Sequence, residues 1–310
     1  MGKIAIMFPG QGAQCPGMGR DLYEHSPAAR EVFDNAERIR PGTISQCFSG
    51  SSDELARTEN TQPCLYCADL AAAAAIKESG IAADMLAGFS LGELAALAFS
   101  GAVTYEDGLR IVCKRAKLMQ EASEKTDTGM VAVMKLSDSL VLEICAEYEN
   151  IYPVNFNYEG QVVVAGKKNE LKQFSLRTKE IGGAAIPLKV SGGFHSPFMD
   201  SAAAGFARVL DGYSIGRPHI PLFSNVTAKP YGENASGLLA KQINSPVMWR
   251  AMVENMILAG ADVFIEAGPG KTLCGLVSRI SDKVRVCNVE DYGSLANAMR
   301  ELDVRPAALA

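Results

Sequence analysis

The sequence predicts an α/β fold made of a large domain and a small domain inserted into it. Strand and helix patterns alternate over residues 1–124 and 191–310, which is typical of a parallel sheet covered by helices. Within the first range a G-x-S-x-G segment, Gly88 to Gly92, joins an apolar run to a helical pattern. Residues 125–190 follow the order strand-helix-strand-strand-helix-strand. We therefore expect an α/β-hydrolase-like large domain with a nucleophile elbow, and a ferredoxin-like small domain.

Length, composition and charge are those of an ordinary globular protein. The 310 residues are 48% hydrophobic and 21% charged, and the net charge of -5 argues against a nucleic-acid binder. The apolar stretch around Leu65 to Ile76 contains Asp69 and is too short to span a membrane. Pro9 interrupts the N-terminal apolar run too early for a signal peptide. We therefore expect a cytoplasmic monomer that binds neither nucleic acid nor membrane.

The first part of the large domain begins with a buried strand. Lys3 to Phe8 is apolar, and Pro9-Gly10 ends it. Glycines after a first strand suggest dinucleotide binding, but GQGAQCPG does not fit the G-x-G-x-x-G pattern, so this alternative is discarded. Helical segments follow from Met18 to about Gly80, and a long helix is predicted over residues 106–123.

The small domain and the second part of the large domain each have a clear order of elements. In the small domain the predicted elements are strand 129–136, helix 137–148, strands 152–157 and 160–166, helix 169–183 and strand 184–190. After it the predicted elements are helix 197–213, strand 219–226, a helical region 236–260 broken at 245–246, strand 262–268, helix 271–280, strand 284–289 and helix 294–302.

Ser90 is the candidate nucleophile. The glycines two places before and after it allow a sharp turn from strand to helix, which exposes the hydroxyl at a helix N-terminus. The alternative is an ordinary turn with a capping serine. A nucleophilic serine needs a base, and the chain has three histidines. His195 lies in a glycine-rich loop and is the preferred base, whereas His25 is assigned to the surface and His219 to a structural role.

The sequence offers no obvious third member of a catalytic triad and no metal site. Acidic residues between Ser90 and His195 fall almost entirely within helices or the small domain, so a backbone or amide acceptor could orient the imidazole instead. Cys64 and Cys67 form a CxxC, but they stand in an apolar helix without a second ligand pair. We interpret them as buried thiols and expect neither a metal nor a redox cofactor.

Seven ordered motifs carry a resemblance to a known family. They are FPGQGAQ, GFSLGE, KRAKLMQEA, PVNFN followed by GQVVVAG, GGFHSPFM, QINSPVMW and EAGPGKTLCGL. Together they resemble malonyl-CoA:acyl-carrier-protein transacylases and the acyltransferase domains of polyketide synthases, over nearly the whole chain. The resemblance implies that Ser90 is the nucleophile and His195 the base. It also implies that the N–H groups of Gln11 and Leu91 form the oxyanion hole, and that the Gln242 carbonyl holds the imidazole.

The resemblance also implies how the acyl group is selected. Arg115 matches the arginine that pairs with the free carboxylate of the substrate; from the residues alone, a surface cation is an equal alternative. Phe89 stands where histidine commonly precedes the serine, which leaves the fine acyl selectivity open. Phe194, before the histidine, resembles the malonyl-type members and is expected to crowd a substituent at C2 of the acyl group.

The implied reaction transfers malonyl from malonyl-CoA, through an ester on Ser90, to the phosphopantetheine thiol of acyl carrier protein in fatty-acid or polyketide synthesis. Two alternatives remain: an acyl-thioester hydrolase and a non-catalytic carrier-binding scaffold. Between residues 161 and 190 six basic side chains face two glutamates, so we hypothesise that this surface steers an acidic carrier, the alternative being a merely solvated helix face. The six are Lys167, Lys168, Lys172, Arg177, Lys179 and Lys189.

Overall fold

A computed structural model describes residues 2–232 and 234–304, and in these residues the strands form two separate sheets. The strands are β1 (Lys3–Phe8), β2 (Met85–Gly88), β3 (Thr128–Met134), β4 (Ile151–Tyr158), β5 (Gln161–Lys167), β6 (Ala184–Pro187), β7 (Leu222–Phe223), β8 (Ala261–Ala267) and β9 (Arg285–Val289). The last six residues of the predicted large domain, 305–310, lie outside the described part of the chain.

Helices cover both sheets. They are α1 (Arg20–His25), α2 (Pro27–Ile39), α3 (Thr43–Ser49), α4 (Ser52–Ala56), α5 (Thr58–Glu78), α6 (Gly92–Phe99), α7 (Tyr105–Glu124), α8 (Asp138–Cys145), α9 (Lys168–Glu180), α10 (Asp200–Leu210), α11 (Ala235–Gln242), α12 (Trp249–Leu258), α13 (Thr272–Ile280) and α14 (Tyr292–Glu301). A short 3₁₀ turn, Pro197–Met199, precedes α10. In the described residues no helix is long and apolar enough to cross a membrane.

The large domain is built on a parallel sheet with the strand order β7-β2-β1-β8-β9. Its central strand β1 is almost wholly buried, as its apolar sequence predicts. The chain moves from β1 to β2 on one side, whereas β8 pairs with the other side of β1. Such a switch point opens a crevice at the carboxyl ends of the strands, and Ser90 follows β2 at that edge.

The small sheet is antiparallel, with the order β4-β5-β3-β6. The second strand of this unit, β4, pairs with the third, β5. The first strand, β3, lies beside β5, and the fourth, β6, is at the edge next to β3. That order is the ferredoxin-like arrangement which the strand-helix pattern predicts. Helices α8 and α9 pack on one face of the sheet around Val141 and Phe174. The fold class is confirmed, whereas the domain boundaries at 125 and 190 stay a prediction.

Some predicted elements are shorter in the structure. The strand predicted over 219–226 is reduced to Leu222–Phe223, because β7 is an edge strand that pairs only with β2. The strand predicted over 184–190 ends at Pro187, beyond which the chain turns toward the glycine-rich loop. The helix predicted over 169–183 begins one residue earlier, at Lys168, and ends three residues earlier, at Glu180.

The two domains are joined by backbone and side-chain contacts. The Phe156 N–H donates to the Val247 carbonyl (3.0 Å), and the Val247 N–H donates to the Val154 carbonyl (2.8 Å). At the start of α12, Arg250 forms an ion pair with Asp138 of α8 (2.7 Å). These contacts hold the small domain against the crevice of the parallel sheet.

Candidate active site

The nucleophile elbow is a tight crossing of backbones around Ser90. A side chain at Gly88 would place its Cβ 2.0 Å from the Gly92 carbonyl carbon, and one at Gly92 would meet the Phe8 carbonyl oxygen at 2.0 Å. Ser90 itself has φ 54°, a left-handed conformation that is costly for a residue with a side chain. The two glycines are therefore required by packing, and the serine is held in a strained turn.

His195 is the histidine that meets Ser90. Its Nε2 lies 2.8 Å from Ser90 Oγ, and its Nδ1 lies 2.8 Å from the Gln242 carbonyl oxygen. A carbonyl only accepts, so Nδ1 carries the hydrogen and Nε2 is left free to accept the serine proton. The Gln242 carbonyl is available because it ends α11, where helix carbonyls lack intrahelical partners. This tautomer suits a general base.

The environment of His195 favours the neutral imidazole. The side chain is buried, and its backbone has φ 61°, a second left-handed conformation in the site. Burial, with the nearby charge of Arg115, lowers the pKa of His195 to about 4. The imidazole is therefore unprotonated at neutral pH, as a base must be.

Gln11 and Leu91 line the cavity beside Ser90. Gly10 brings the turn after β1 against the elbow, since a Cβ there would stand 2.4 Å from the Phe89 carbonyl oxygen. In the part of the chain that the structure describes, neither N–H has a hydrogen-bond acceptor. Two unpaired donors beside a nucleophile are what an oxyanion requires.

Arg115 is buried beside the serine, which excludes the surface-cation alternative. The side chain is 1% exposed on α7. Its Nη2 lies 3.3 Å from Ser90 Oγ and 2.8 Å from Gln242 Oε1, and its Nη1 donates to Gln62 Oε1 (2.7 Å). Within the described residues it has no ion pair. Burial lowers the pKa of Arg115 to about 10, so the guanidinium remains charged at neutral pH.

Phe89 and Phe194 both line the cavity, which has a volume of about 80 Å³. Phe194 is buried against the large-domain core. Phe89 packs on Trp249, with ring centroids 5.5 Å apart. Asn155 lines the same cavity, and in the described residues its Oδ1 has no partner. The structure thus brings six of the eight predicted site residues to the lining of one cavity: Gln11, Phe89, Ser90, Leu91, Phe194 and His195. Arg115 and Gln242 do not line it and are joined to Ser90 and His195 by hydrogen bonds.

Sequence reasoning missed four buried polar residues around this cluster: Gln62, Glu93, Asn225 and Tyr231. Glu93 is fully buried although it lies in the first turn of α6. A signal was present, since a lone acid in the apolar helix GELAALAF has no reason to be there unless it is paired. Asn225 accepts the Ser90 N–H (2.8 Å), a contact that sequence spacing cannot reveal.

The other candidates of the sequence lie away from the site. His25 is exposed, and His219 is exposed with its N–H bonded to the Ser100 carbonyl. Cys64 and Cys67 are buried, as expected of core thiols. Among the described residues no group of three or more metal-ligating side chains is suitably placed to hold a metal ion.

The basic surface of the small domain is partly neutralised. Lys168 pairs with Asp127 (2.6 Å), and Arg177 pairs with Glu147 (3.4 Å). The remaining four basic residues are exposed and have no ion pair within the described residues: Lys167, Lys172, Lys179 and Lys189.

A serine on a nucleophile elbow, bonded to a buried histidine and sharing its cavity with two residues whose backbone N–H groups could hold an oxyanion, is the arrangement of enzymes that form an acyl-serine intermediate. The α/β fold with a switch-point crevice agrees with that class. The chain belongs to the acyl transferase domain family, whose model matches residues 6–303.

Named relatives of this chain are similar to it over nearly their whole length. The malonyl CoA-acyl carrier protein transacylase of Bacillus subtilis is 38% identical, covering 97% of this chain and 98% of that protein. The crystal structure of the transacylase of the same name from Clostridium perfringens is 36% identical with a TM-score of 0.94, covering 97% of each chain. A malonyl-transacylase in complex with its type II PKS acyl-carrier protein is 34% identical with a TM-score of 0.93, covering 96% of this chain and 99% of that one.

Proposed function

We propose that this chain transfers a malonyl group from malonyl-CoA to the phosphopantetheine thiol of acyl carrier protein, in fatty-acid or polyketide biosynthesis. The names of the relatives support both the donor and the acceptor. The proposal includes a monomer in the cytoplasm and a reaction that needs no metal ion or organic cofactor. The ordinary globular composition supports the location, and the serine chemistry supports the absence of a cofactor.

The observation that carries the choice of malonyl is the buried charge of Arg115. Its guanidinium lies 3.3 Å from Ser90 Oγ and is surrounded by the neutral amide oxygens of Gln62 and Gln242. A carboxylate on the acyl group would supply a counter-charge in direct contact with the guanidinium and accept two parallel N–H bonds. An acetyl group would not, so the site selects an acyl group with a free carboxylate.

Acylation begins when Ser90 Oγ attacks the thioester carbon of malonyl-CoA. His195 Nε2, 2.8 Å away, takes the serine proton, while Nδ1 stays bonded to the Gln242 carbonyl. The N–H groups of Gln11 and Leu91 stabilise the oxyanion of the tetrahedral intermediate. The C–S bond then breaks, His195 returns the proton to the departing thiolate, and malonyl remains as an ester on Ser90.

Transfer repeats these steps with a different nucleophile. The phosphopantetheine thiol of the carrier gives its proton to His195 and attacks the ester carbon. The same two N–H groups hold the second oxyanion. When the C–O bond breaks, His195 returns the proton to Ser90 Oγ, and the malonyl thioester leaves on the carrier. The cycle is therefore ping-pong.

The exposed lysines of α9 are proposed to receive the acidic carrier protein. Lys172 and Lys179 border a groove of about 520 Å³ on the small domain. Leu188 and Val190 line both this groove and the cavity of Ser90, so the two are adjacent. A carrier docked on the lysines can therefore pass its thiol toward the serine.

Intact-mass measurement after mixing with malonyl-CoA tests the function. The wild type should gain one malonyl group, which holo acyl carrier protein removes and carries away. Ser90→Ala should gain none, whereas Ser278→Ala, an exposed serine on α13, should behave as the wild type. A wild type that gains no malonyl and malonylates no carrier would refute the proposal. Loss of the group to water, with none on the carrier, would indicate the hydrolase instead.

A further inference from the structure

The proposed mechanism does not use one buried carboxyl group, that of Glu93, which is linked to Ser90 through the side chain of Gln242. The residue is in the first turn of α6, three positions after the nucleophile, and its side chain is fully buried. Burial raises the pKa of Glu93 to about 7, although the hydrogen bonds that it accepts oppose the rise. A buried acid is costly unless it has partners, so its partners indicate what it does.

Every hydrogen bond between this carboxyl and another of the described residues is donated to the carboxyl. Oε1 accepts from the Asn225 N–H (2.9 Å) and from the Tyr231 hydroxyl (2.6 Å). Oε2 accepts from Gln242 Nε2. A carboxylate satisfies all three, because both of its oxygens accept. A neutral amide or acid does not, because one of its two sides must donate, and the Asn225 N–H on the Oε1 side favours a donor on the side of Gln242.

The Gln242 side chain connects Glu93 to Ser90 and Arg115 through hydrogen bonds. Its Nε2 also donates to the Ser90 carbonyl (2.7 Å), and its Oε1 accepts from Arg115 Nη2 (2.8 Å). With a carboxylate at Glu93 the amide has one favourable orientation, with its nitrogen toward Glu93 and its oxygen toward Arg115. Glu93 thus decides whether the guanidinium meets an acceptor or a donor.

We propose that Glu93 is a positioning residue for malonyl selectivity: its carboxylate fixes the amide of Gln242, which in turn holds Arg115 in place for the carboxylate of the acyl group. The inference rests on the proposed function and concerns the same site. If position 93 is neutral, its donor side faces Gln242, and the amide turns over. The amide nitrogen then opposes Arg115, and the Ser90 carbonyl loses its donor.

The same argument gives a pH dependence. Among the residues that the structure describes, two titratable or charged groups act on Glu93: the Tyr231 phenol, which donates to it, and the Arg115 guanidinium, which acts through its charge. As pH falls through about 7, Glu93 takes up a proton, and the amide of Gln242 turns as in the neutral variant. Malonyl selectivity should therefore decline below that pH, whereas acetyl transfer, which does not use the Arg115 fork, should not follow it.

The test compares single-turnover acylation of the full chain by malonyl-CoA and by acetyl-CoA, at pH values below and above 7. Glu93→Gln should lower the malonyl-to-acetyl rate ratio by at least about tenfold above pH 7 and remove its pH dependence. Glu266→Gln is the matched control, because Glu266 is also fully buried but bonds the Cys274 N–H away from the site. This control should keep the ratio and its pH dependence.

A wild-type ratio in Glu93→Gln would overturn the inference. If that variant does not fold, Tyr231→Phe decides, since loss of a donor to the carboxylate raises the pKa of Glu93. The decline in selectivity should then move to higher pH, and an unmoved decline would equally overturn the inference. A wild type without any malonyl adduct would be a failure of the proposed function, so the two failures are distinct.

Discussion

Replacing Arg115 by alanine is the most direct test of acyl selection. In the free site its two terminal nitrogens bond neutral amide oxygens of Gln62 and Gln242. A substrate carboxylate replaces these neutral acceptors by charged ones. We assign roughly 1 kcal/mol to each exchange, a difference that fits within the spread of about 1.5–3 kcal/mol for hydrogen bonds that involve a charged group. Two such bonds give about 2 kcal/mol, which corresponds to a factor of about thirty in the specificity ratio.

The assay measures kcat/KM for malonyl-CoA and for acetyl-CoA with holo carrier as acceptor. Arg115→Ala also leaves the two amides without a donor, which harms both substrates, so the ratio and not the absolute rate isolates the carboxylate contact. Arg110→Ala provides the control. Arg110 lies on the same helix α7, is about half exposed and pairs with Asp107, so its removal should leave the ratio unchanged.

An equal loss for both acyl groups in Arg115→Ala would refute the reasoning. It would mean that the guanidinium supports the site through Ser90 and Gln242 alone and never meets the substrate carboxylate. A changed ratio in the Arg110 variant would refute it as well, because the effect would then not depend on the buried position.

Three further outcomes follow from the structure. Gly88→Ala should lower the free energy of unfolding by about 3 kcal/mol or more, as measured by denaturant titration. Gly275→Ala on α13 is the control and should cost nothing, because the space at its Cβ is open. Equal effects of the two substitutions would contradict the elbow packing. Because the pKa of His195 is lowered to about 4, acylation by acetyl-CoA should stay constant from alkaline pH down to about 5 and fall only toward 4, and an acid limb near 6.5 would contradict this. Lys172→Glu should raise the KM for the carrier about threefold to tenfold and weaken the salt dependence of this KM. Lys283→Glu, an exposed position on the large domain, is the control and should change neither. An unchanged KM in the Lys172 variant would contradict the docking proposal.

The local features of this fold could be predicted because their causes are local. The spacing of Gly88 and Gly92 around Ser90 specifies a sharp turn that only small residues permit, and the structure places both glycine Cα atoms against backbone. The spacing of apolar residues and the Gly or Pro residues that interrupt it predicted the strands of both sheets, and the errors in strand length are mainly at edge strands. Edge pairing depends on a neighbour, so β7 is shorter than its sequence suggests.

The basic surface of the small domain could not be predicted by counting charged residues along the sequence. Six cations against two glutamates predicts a continuous positive surface. In the structure Lys168 and Arg177 are engaged by acids from other elements, Asp127 and Glu147, and only part of the charge stays unpaired. Charge along a segment is a property of sequence, whereas the field at a surface depends on which elements lie beside it.

The sequence by itself determined the class of fold, the tight turn that carries Ser90 and the choice of His195 as its hydrogen-bond partner, because the elbow is a local structure and histidines are few. Tertiary structure alone decided that Arg115 is buried beside Ser90, and that Glu93 is buried behind it. The burial of an apolar residue is favoured by its own transfer free energy, which is known from the residue type. A charged residue is buried only where distant elements supply its partners, here Gln242 from α11 and Asn225 after β7, and no local pattern contains that information.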